Sequence, residues 1–180
     1  FILLGHSMGG VVAGNFSGRY SDRVARLILS CTHLGRNQRP GTPLGAKYLA
    51  RLAQYEEMTP LGYGRARAES MTAPGCDPKI LENFAHIAAE TRKEGLEAAI
   101  RTISEADNRT PFASLDMPVL VLAGDLDQTV PKALTEGLIA AIPEAVPLSS
   151  VHYLPGVAHA PYMEDVERYN KVLSDFLLSL

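Results

Sequence analysis

Hydrophobic residues follow two different patterns along the chain, and the pattern changes twice. Residues 1–4 form a continuous apolar run, and short stretches rich in apolar residues follow at 23–30 (RVARLILS), 119–124 (VLVLAG) and 150–154. Such runs are typical of strands that are buried on both faces of a parallel sheet. Because helical stretches separate these runs, the pattern predicts an α/β fold built from right-handed βαβ units.

Apolar residues at three- and four-residue spacing predict the helices. They cover residues 8–20, 131–142 and 164–180, and in the first of these Val12, Phe16 and Tyr20 share one face. The middle of the chain, residues 34–110, has no β-branched run and is expected to be wholly helical. Thr59-Pro60 and Asp77-Pro78 are expected to be N-cap and N1 pairs within it. We therefore expect an α/β layer, residues 1–33 and 111–180, interrupted by a helical insertion.

Composition and charge narrow the possible partners. The chain has 180 residues, of which 46% are hydrophobic and 21% charged, as in an ordinary globular domain. A net charge of −3 and the lack of a Lys/Arg run argue against nucleic acid or a membrane as partner, and no apolar run is long enough to span a bilayer. Cys31 and Cys76 lack CxxC spacing, so we expect two buried or half-buried thiols, with neither a disulfide framework nor a metal site. A small molecule is the expected partner.

The pentapeptide Gly5-His6-Ser7-Met8-Gly9 fits the pattern G-x-S-x-G, with a predicted strand before it and a predicted helix after it. At such a sharp turn the serine is strained, and side chains at Gly5 and Gly9 are expected to collide with neighbouring elements, with Gly10 extending the clearance. Ser7 is therefore a candidate nucleophile. The alternative is a glycine turn with a purely structural role.

A nucleophilic serine needs a base and an acid that orients the base. Asp125 and Asp127 follow the strand at 119–124, and His159 follows the last strand, so the chain order is Ser, acid, His. One of the two carboxylates is expected to be only a loop or capping acid. A surface or core histidine is the alternative role for His159.

The remaining histidines are weaker candidates for the base. His6 lies between Gly5 and Gly9 and is expected to point away from the nucleophile. His86 falls in a predicted helix, and His152 falls in a predicted strand. His33 follows the second strand and is expected near the same sheet edge, where it could contribute to the pocket.

Three segments together resemble the C-terminal two-thirds of an α/β-hydrolase-fold protein. GHSMGG resembles the nucleophile elbow, LAGDLDQTVP the acid loop, and LPGVAHAPYMEDVERYNKVLSDFL the histidine loop and closing helix. Because the acid loop of that family usually reads G-x-x-D, the resemblance implies that Asp127 rather than Asp125 is the acid. It also implies that residues 34–110 form a cap over the active site, with core parts at 1–33 and 111–180.

The cap and the LSCTH segment look most like the 3-oxoadipate enol-lactonase group and its esterase relatives, although His6 stands where those lactonases often have a small or aliphatic residue. The implied function is hydrolysis of a small ester or lactone, without cofactor or metal. A carbon–carbon bond hydrolase or a cofactor-free perhydrolase is the alternative within the fold. A ligand-sensing receptor that retains the triad is the alternative from another class.

The implied mechanism is acyl transfer. Ser7 attacks a carbonyl, His159 carries the proton, Asp127 orients His159, and the main-chain N–H of Met8 supplies one oxyanion donor. The second donor comes, in this fold, from a loop after an earlier strand. The chain therefore resembles a fragment whose upstream strands are missing.

The substrate, the oligomeric state and the location are less constrained. Arg65 and Arg67 are expected on one helix, where they either meet a substrate carboxylate or remain solvated. The sequence leaves the oligomeric state open. We expect a cytoplasmic location, with a signal peptide upstream of residue 1 as the alternative.

Overall fold

The computed structural model describes residues 1–147 and 149–179. In chain order the elements are β1 (Ile2–His6), α1 (Met8–Arg19), a 3-10 turn (Ser21–Arg23), β2 (Arg26–Ser30), α2 (Ala46–Glu57), α3 (Pro60–Met71), α4 (Pro78–Ala89), α5 (Lys93–Glu105), α6 (Arg109–Phe112), β3 (Val119–Gly124), α7 (Lys132–Ile139), β4 (Ser150–Leu154), α8 (Pro161–Glu164) and α9 (Val166–Leu178). Strands alternate with helices at both ends of the chain, and the middle has a non-helical segment at 31–45 followed by helices α2 to α6.

The described strands form one parallel sheet in the order β1-β2-β3-β4. Both faces of its centre are covered, one by α1, α6 and α7 through residues such as Ala13, Phe112 and Leu138, the other by α9 through Tyr169 and Phe176. Strands β2 and β3 are buried along their whole length, as the apolar sequence of β3 and the apolar centre of β2 predict, although the polar ends of β2, Arg26 and Ser30, are buried as well. The predicted α/β class is confirmed.

Strand β1 differs from the prediction. Phe1, Ile2 and Leu4 are 44–56% exposed, although residues 1–4 were expected to be buried on both faces. The physical reason is strand pairing: within the described residues β1 pairs with β2 on one side only and forms an edge of the sheet. An apolar run alone does not distinguish an edge strand from a central one.

The helix that follows β1 also buries a different face from the one that its large residues suggest. Val12 and Tyr20 are about half exposed, whereas the buried positions carry small residues such as Gly10, Ala13 and Gly14. Gly14 has to be small, because a Cβ there would lie 2.5 Å from the ring of Phe112.

Several predicted boundaries shift. Strand β2 begins at Arg26 rather than Arg23, because residues 21–23 form the 3-10 turn. Helix α7 ends at Ile139 rather than Ile142. The last helix is divided into α8 and α9, and the predicted end at Leu180 lies outside the described residues.

The insertion between β2 and β3 carries helices only from Ala46 onward, so the expectation that residues 34–110 are wholly helical is wrong for residues 34–45. That segment is rich in Gly and Pro, which disfavour a helix. The two predicted caps form. Thr59 Oγ1 accepts a hydrogen bond from the Gly62 N–H at 3.2 Å, and Asp77 Oδ1 accepts one from the Lys79 N–H at 2.8 Å. Helices α3 and α4 pack on each other and on Ala160, a residue of the segment after β4. None of the described helices is long and apolar enough to span a bilayer.

The four strands that the structure describes run in one direction, so the segments that follow them meet at one edge of the sheet. These segments carry Ser7 after β1, Cys31 to His33 after β2, Asp127 after β3 and His159 after β4.

Candidate active site

Ser7 occupies a sharp turn between β1 and α1. Its φ of 53° lies in the left-handed region, which costs a non-glycine residue energy and has to be held by its surroundings. The N–H of Ser7 donates to the Ser30 carbonyl at 2.9 Å, and the Thr32 hydroxyl donates to the Ser7 carbonyl at 2.6 Å. The strained turn is therefore fixed to the end of β2.

The glycines around Ser7 are not equivalent. A Cβ at Gly5 would lie 2.6 Å from Gly10 Cα, so the predicted clearance holds at this position. A Cβ at Gly9 would meet nothing within 4 Å among the described residues, so the predicted collision there is wrong. A Cβ at Gly10 would lie 2.6 Å from the Thr32 side chain, in line with the expected extension of the clearance.

The structure places the imidazole of His159 between Ser7 and Asp127. His159 Nδ1 is 2.7 Å from Asp127 Oδ2, and His159 Nε2 is 2.9 Å from Ser7 Oγ. Because the Nδ1–H donates to the carboxylate, Nε2 carries the lone pair and accepts from the Ser7 hydroxyl. The side chains of His159 and Asp127 are 0% and 2% exposed, so both partners are shielded from water.

The two candidate acids separate clearly. Asp127 Oδ1 accepts the N–H groups of Thr129 at 2.8 Å and Val130 at 2.9 Å, which leaves Oδ2 aimed at His159. Asp125 instead accepts the Gly156 N–H at 2.7 Å. Asp127 is the carboxylate in contact with the imidazole, and Asp125 stabilises a turn.

The backbone around His159 is anchored by a carboxylate that sequence reasoning missed. Glu164 accepts the N–H groups of Ala158 at 3.0 Å, of Ala160 at 3.1 Å and of Ala73 at 2.6 Å. A carboxylate that accepts only main-chain N–H groups has no partner side chain, so the sequence gives no signal for it.

His6, which was expected to point away from the nucleophile, bonds to the backbone of His159. The His6 Nε2–H donates to the His159 carbonyl at 2.7 Å, and Tyr162 lies edge-on to the His6 ring at 4.9 Å. Burial, and then the charge of His159, lower the pKa of His6 to about 4, so the ring is a neutral donor at physiological pH. Its ring does not line the cavity described below.

One group of potential metal ligands occurs at the site. Ligand atoms of His6, Cys31 and His159 lie within 4.8 Å of one another. Both ring nitrogens of His159 already bond to Asp127 and Ser7, while burial and the Asp127 charge raise the pKa of Cys31 to about 12. A protonated thiol is a poor metal ligand. The arrangement therefore favours the hydrogen-bonded relay of Ser7, His159 and Asp127 over metal binding.

A cavity of about 590 Å³ opens above Ser7 and His159. Met8, at the first position of α1, lies beside Ser7 on its floor, and its main-chain N–H donates to no acceptor within the described residues. His33 lines the wall, and burial together with the charge of Arg36 lowers its pKa to about 4. Helices α2 and α3 supply most of the roof.

The two arginines singled out on α3 have different surroundings. Arg65 is exposed and forms a salt bridge with Glu82 at 3.0 Å, which also contacts His86. Arg67 lines the cavity. Spacing on a helix could not separate them, because the choice depends on how α3 is rotated over the sheet.

Comparison with known proteins gives one family and many relatives of the same fold. The family model described as serine aminopeptidase, S33, matches residues 1–166. A pimeloyl-[acyl-carrier protein] methyl ester esterase of Aeromonas hydrophila is 27% identical and is matched over 97% of this chain and 69% of its own length.

The solved structures agree with this result. A thermophilic esterase from Thermogutta terrifontis has a TM-score of 0.79 at 27% identity, over 98% of this chain and 64% of that one. An esterase from Exiguobacterium antarcticum has a TM-score of 0.83 at 20% identity, over 99% and 66%, which shows the shared fold. This chain therefore spans about two thirds of the length of its relatives.

Proposed function

The chain belongs to the serine aminopeptidase S33 family and has an α/β-hydrolase fold, and we propose that it is a serine hydrolase that cleaves a small carboxylic ester. One observation carries the proposal: Ser7 Oγ, the His159 ring and the Asp127 carboxylate form an unbroken hydrogen-bonded line at the floor of a cavity. This is the arrangement that makes a serine hydroxyl nucleophilic at neutral pH.

Acylation begins when Ser7 Oγ attacks the ester carbonyl carbon and His159 Nε2 takes the hydroxyl proton. Asp127 stabilises the imidazolium that forms and holds the ring in one tautomer. When the tetrahedral intermediate collapses, the carbon–oxygen bond to the leaving group breaks and His159 protonates the leaving alkoxide. Water then attacks the acyl-enzyme, with His159 again as the base, and releases the acid and free Ser7.

The developing oxyanion is placed at the N-terminus of α1, where the free N–H of Met8 and the helix dipole favour negative charge. One such donor contributes about 10²- to 10³-fold in rate. In this fold the second donor comes from the loop between an earlier strand and helix.

We further propose that residues 34–110 act as a cap that selects the substrate, because α2, α3 and α5 line the cavity over Ser7. An ester is favoured over a lactone, since the pimeloyl methyl ester esterase and the Thermogutta esterase are relatives by sequence, whereas the enol-lactonase from Burkholderia xenovorans, at 23% identity, supports the fold alone. A cytoplasmic location fits the two free thiols and is tested by cell fractionation.

The experiment is turnover of p-nitrophenyl butyrate by the protein and by its Ser7→Ala variant. We expect repeated turnover that is lost with Ser7, while Ser114→Ala, a change at an exposed serine, serves as the matched control. A single acylation without turnover would instead identify a ligand sensor. Turnover that survives Ser7→Ala would contradict the proposed mechanism.

A further inference from the structure

Four basic side chains line the wall of the cavity that contains Ser7 and His159. Arg36 follows β2, Lys47 and Arg51 lie on α2, and Arg67 lies on α3. None of the four forms a salt bridge with a carboxylate in the described part of the chain. Among the described residues, the cavity lining contains no Asp or Glu, and it includes the neutral polar side chains of Tyr48, Gln54, Ser70, Gln128 and Thr129.

Arg67 shows most clearly that these basic side chains lack a carboxylate partner among the described residues. Its guanidinium is half-buried, and its N–H groups donate to the Ser70 hydroxyl at 3.0 Å and to the Met71 sulfur at 2.7 Å. Both are neutral acceptors, and a thioether is a weak one. Arg65, two positions away on the same helix, has a bidentate carboxylate partner in Glu82.

The basic groups also disturb each other electrostatically. Burial and, to a smaller extent, the charge of Arg51 together lower the pKa of Arg67 to about 10. Burial lowers the pKa of Lys47, as do the charges of Arg36, Arg67 and Arg51. Arg67 stays protonated at neutral pH, so like charges are held together at a site that water solvates incompletely.

The carboxylate with an attractive effect on Lys47 is Asp127, and it is already committed. Its two oxygens bond to His159 and to the N–H groups of Thr129 and Val130. An anion brought in by the substrate would therefore be the counter-charge that the wall lacks.

We propose, resting on the proposed function, that Arg67, Arg51 and Lys47 form an anion subsite, and that the substrate is an ester with a carboxylate or phosphate at the end remote from the scissile carbonyl. A cavity of about 590 Å³ has room for an acyl chain between Ser7 and this wall. The apolar side chains that line it, Met71, Ala99, Ile103 and Val130, suit the methylene part of such a chain.

The test is a binding measurement that needs no turnover. The Ser7→Ala protein is titrated calorimetrically with monomethyl adipate, with its neutral primary amide, and with the methyl ester of phosphonooxyhexanoic acid. We expect at least one anionic ester to bind about 10- to 100-fold more tightly than the amide, because a charge-assisted hydrogen bond is replaced by a neutral contact in the amide. The tighter of the two anions identifies carboxylate or phosphate as the recognised group.

Variants then locate the subsite. Arg67→Met, in the same Ser7→Ala background, should abolish most of the preference for the anion over the amide, and Arg65→Met is the matched control on the same helix. Equal affinity for anion and amide, or an equal loss in the two arginine variants, would overturn the subsite. Such a result leaves the proposed function standing, since hydrolysis of p-nitrophenyl butyrate tests that separately.

A second and independent observation concerns Glu164. Its carboxylate accepts N–H groups on both sides of His159, from Ala158 and Ala160, and also the N–H of Ala73, which follows α3. The His159 N–H itself donates to the Met71 carbonyl at 3.0 Å, at the end of α3. The backbone that carries the base is thus hydrogen-bonded directly to the insertion that roofs the cavity.

We infer that Glu164 is a positioning residue that keeps the His159 imidazole in line with Ser7. Its loss would release the loop from both sides, so His159 would sample orientations in which Nε2 cannot reach Ser7 Oγ. Since a small misplacement of a reacting group is costly, the effect should fall on the chemical step.

Glu164→Gln keeps the size of the side chain but replaces one acceptor oxygen by an amide donor. We expect kcat for p-nitrophenyl butyrate to fall by about 10- to 100-fold with KM little changed. Glu167→Gln, a change at an exposed acid on α9, is the matched control. An unchanged kcat at a temperature where the variant is folded would contradict the inference, as would a change in KM alone. If Glu164→Gln does not fold, Glu164→Asp keeps the charge and allows the same kcat and KM measurement.

Discussion

The polar side chains at the floor of the cavity have partners within the protein, whereas the basic side chains in its roof lack a carboxylate partner among the described residues. At the floor, the two ring nitrogens of His159 form hydrogen bonds with Ser7 Oγ and with the Asp127 carboxylate, and His159 is completely buried. In the roof, Arg51, Arg67 and Lys47 are close to each other and lack a carboxylate in the described residues.

This difference separates chemistry from recognition. A relay that moves a proton has to be oriented before the substrate arrives, because reorganisation during the reaction would raise the barrier. A recognition surface is most selective when its charges are left for the ligand to satisfy. The hydrogen bonds at the floor are therefore formed before substrate binds, whereas the basic residues of the roof gain their counter-charge from the substrate.

The largest effect is expected from breaking the floor. Ser7→Ala or His159→Ala should each lower kcat by about 10⁶-fold, and the double variant should lose little more, because the two residues act as one unit. Steady-state kinetics of the three variants provide the test. Losses that add up in the double variant would argue against a shared relay.

Next in size is the acid. Asp127→Asn should lower kcat by about 10⁴-fold, since an amide favours the wrong imidazole tautomer. Asp125→Asn, which only weakens a turn at Gly156, should cost far less. The reverse ranking in a direct kinetic comparison would assign the acid role to Asp125.

A smaller effect is expected from salt, which should weaken the binding of anionic esters by the roof more than it changes the catalysis at the floor. Raising the ionic strength from about 0.01 M to about 1 M shortens the screening length from about 30 Å to about 3 Å, so the preference for an anionic ester should fall several-fold. Hydrolysis of a neutral ester should respond weakly. A preference that is independent of salt would show that the roof recognises shape rather than charge.

The smallest effect concerns stability at low pH. The pKa values of His6 and His33 are lowered to about 4, so between about pH 6.5 and about pH 4 the unfolded chain binds protons that the folded chain does not. The free energy of unfolding should therefore fall as pH decreases through this window, and His6→Gln should reduce that slope. Denaturant titrations across the window measure it. His6 faces His159 and the charge of Asp127, while His33 faces Arg36, Lys47 and His159. A slope that is the same in His6→Gln would mean that His6 is protonated in the folded protein.

What the sequence could predict depended on how local each signal is. The positions of Ser7, Asp127 and His159 follow from strand ends, because parallel strands bring their carboxyl ends to one edge of the sheet. The apolar run at residues 1–4 does not by itself predict the exposure of β1, since that exposure depends on which strands pair. The separation of Arg67 from Arg65 depends on the rotation of α3, and Glu164 bonds to main-chain groups that have no sequence pattern.

The nucleophile itself can be identified by one covalent labelling experiment. A fluorophosphonate should react with the protein once, and mass spectrometry of the digested product should place the adduct on the peptide that contains Ser7. Labelling should be lost in His159→Ala, because the hydroxyl then has no base. An adduct on another residue, or undiminished labelling without His159, would contradict the relay of Ser7, His159 and Asp127.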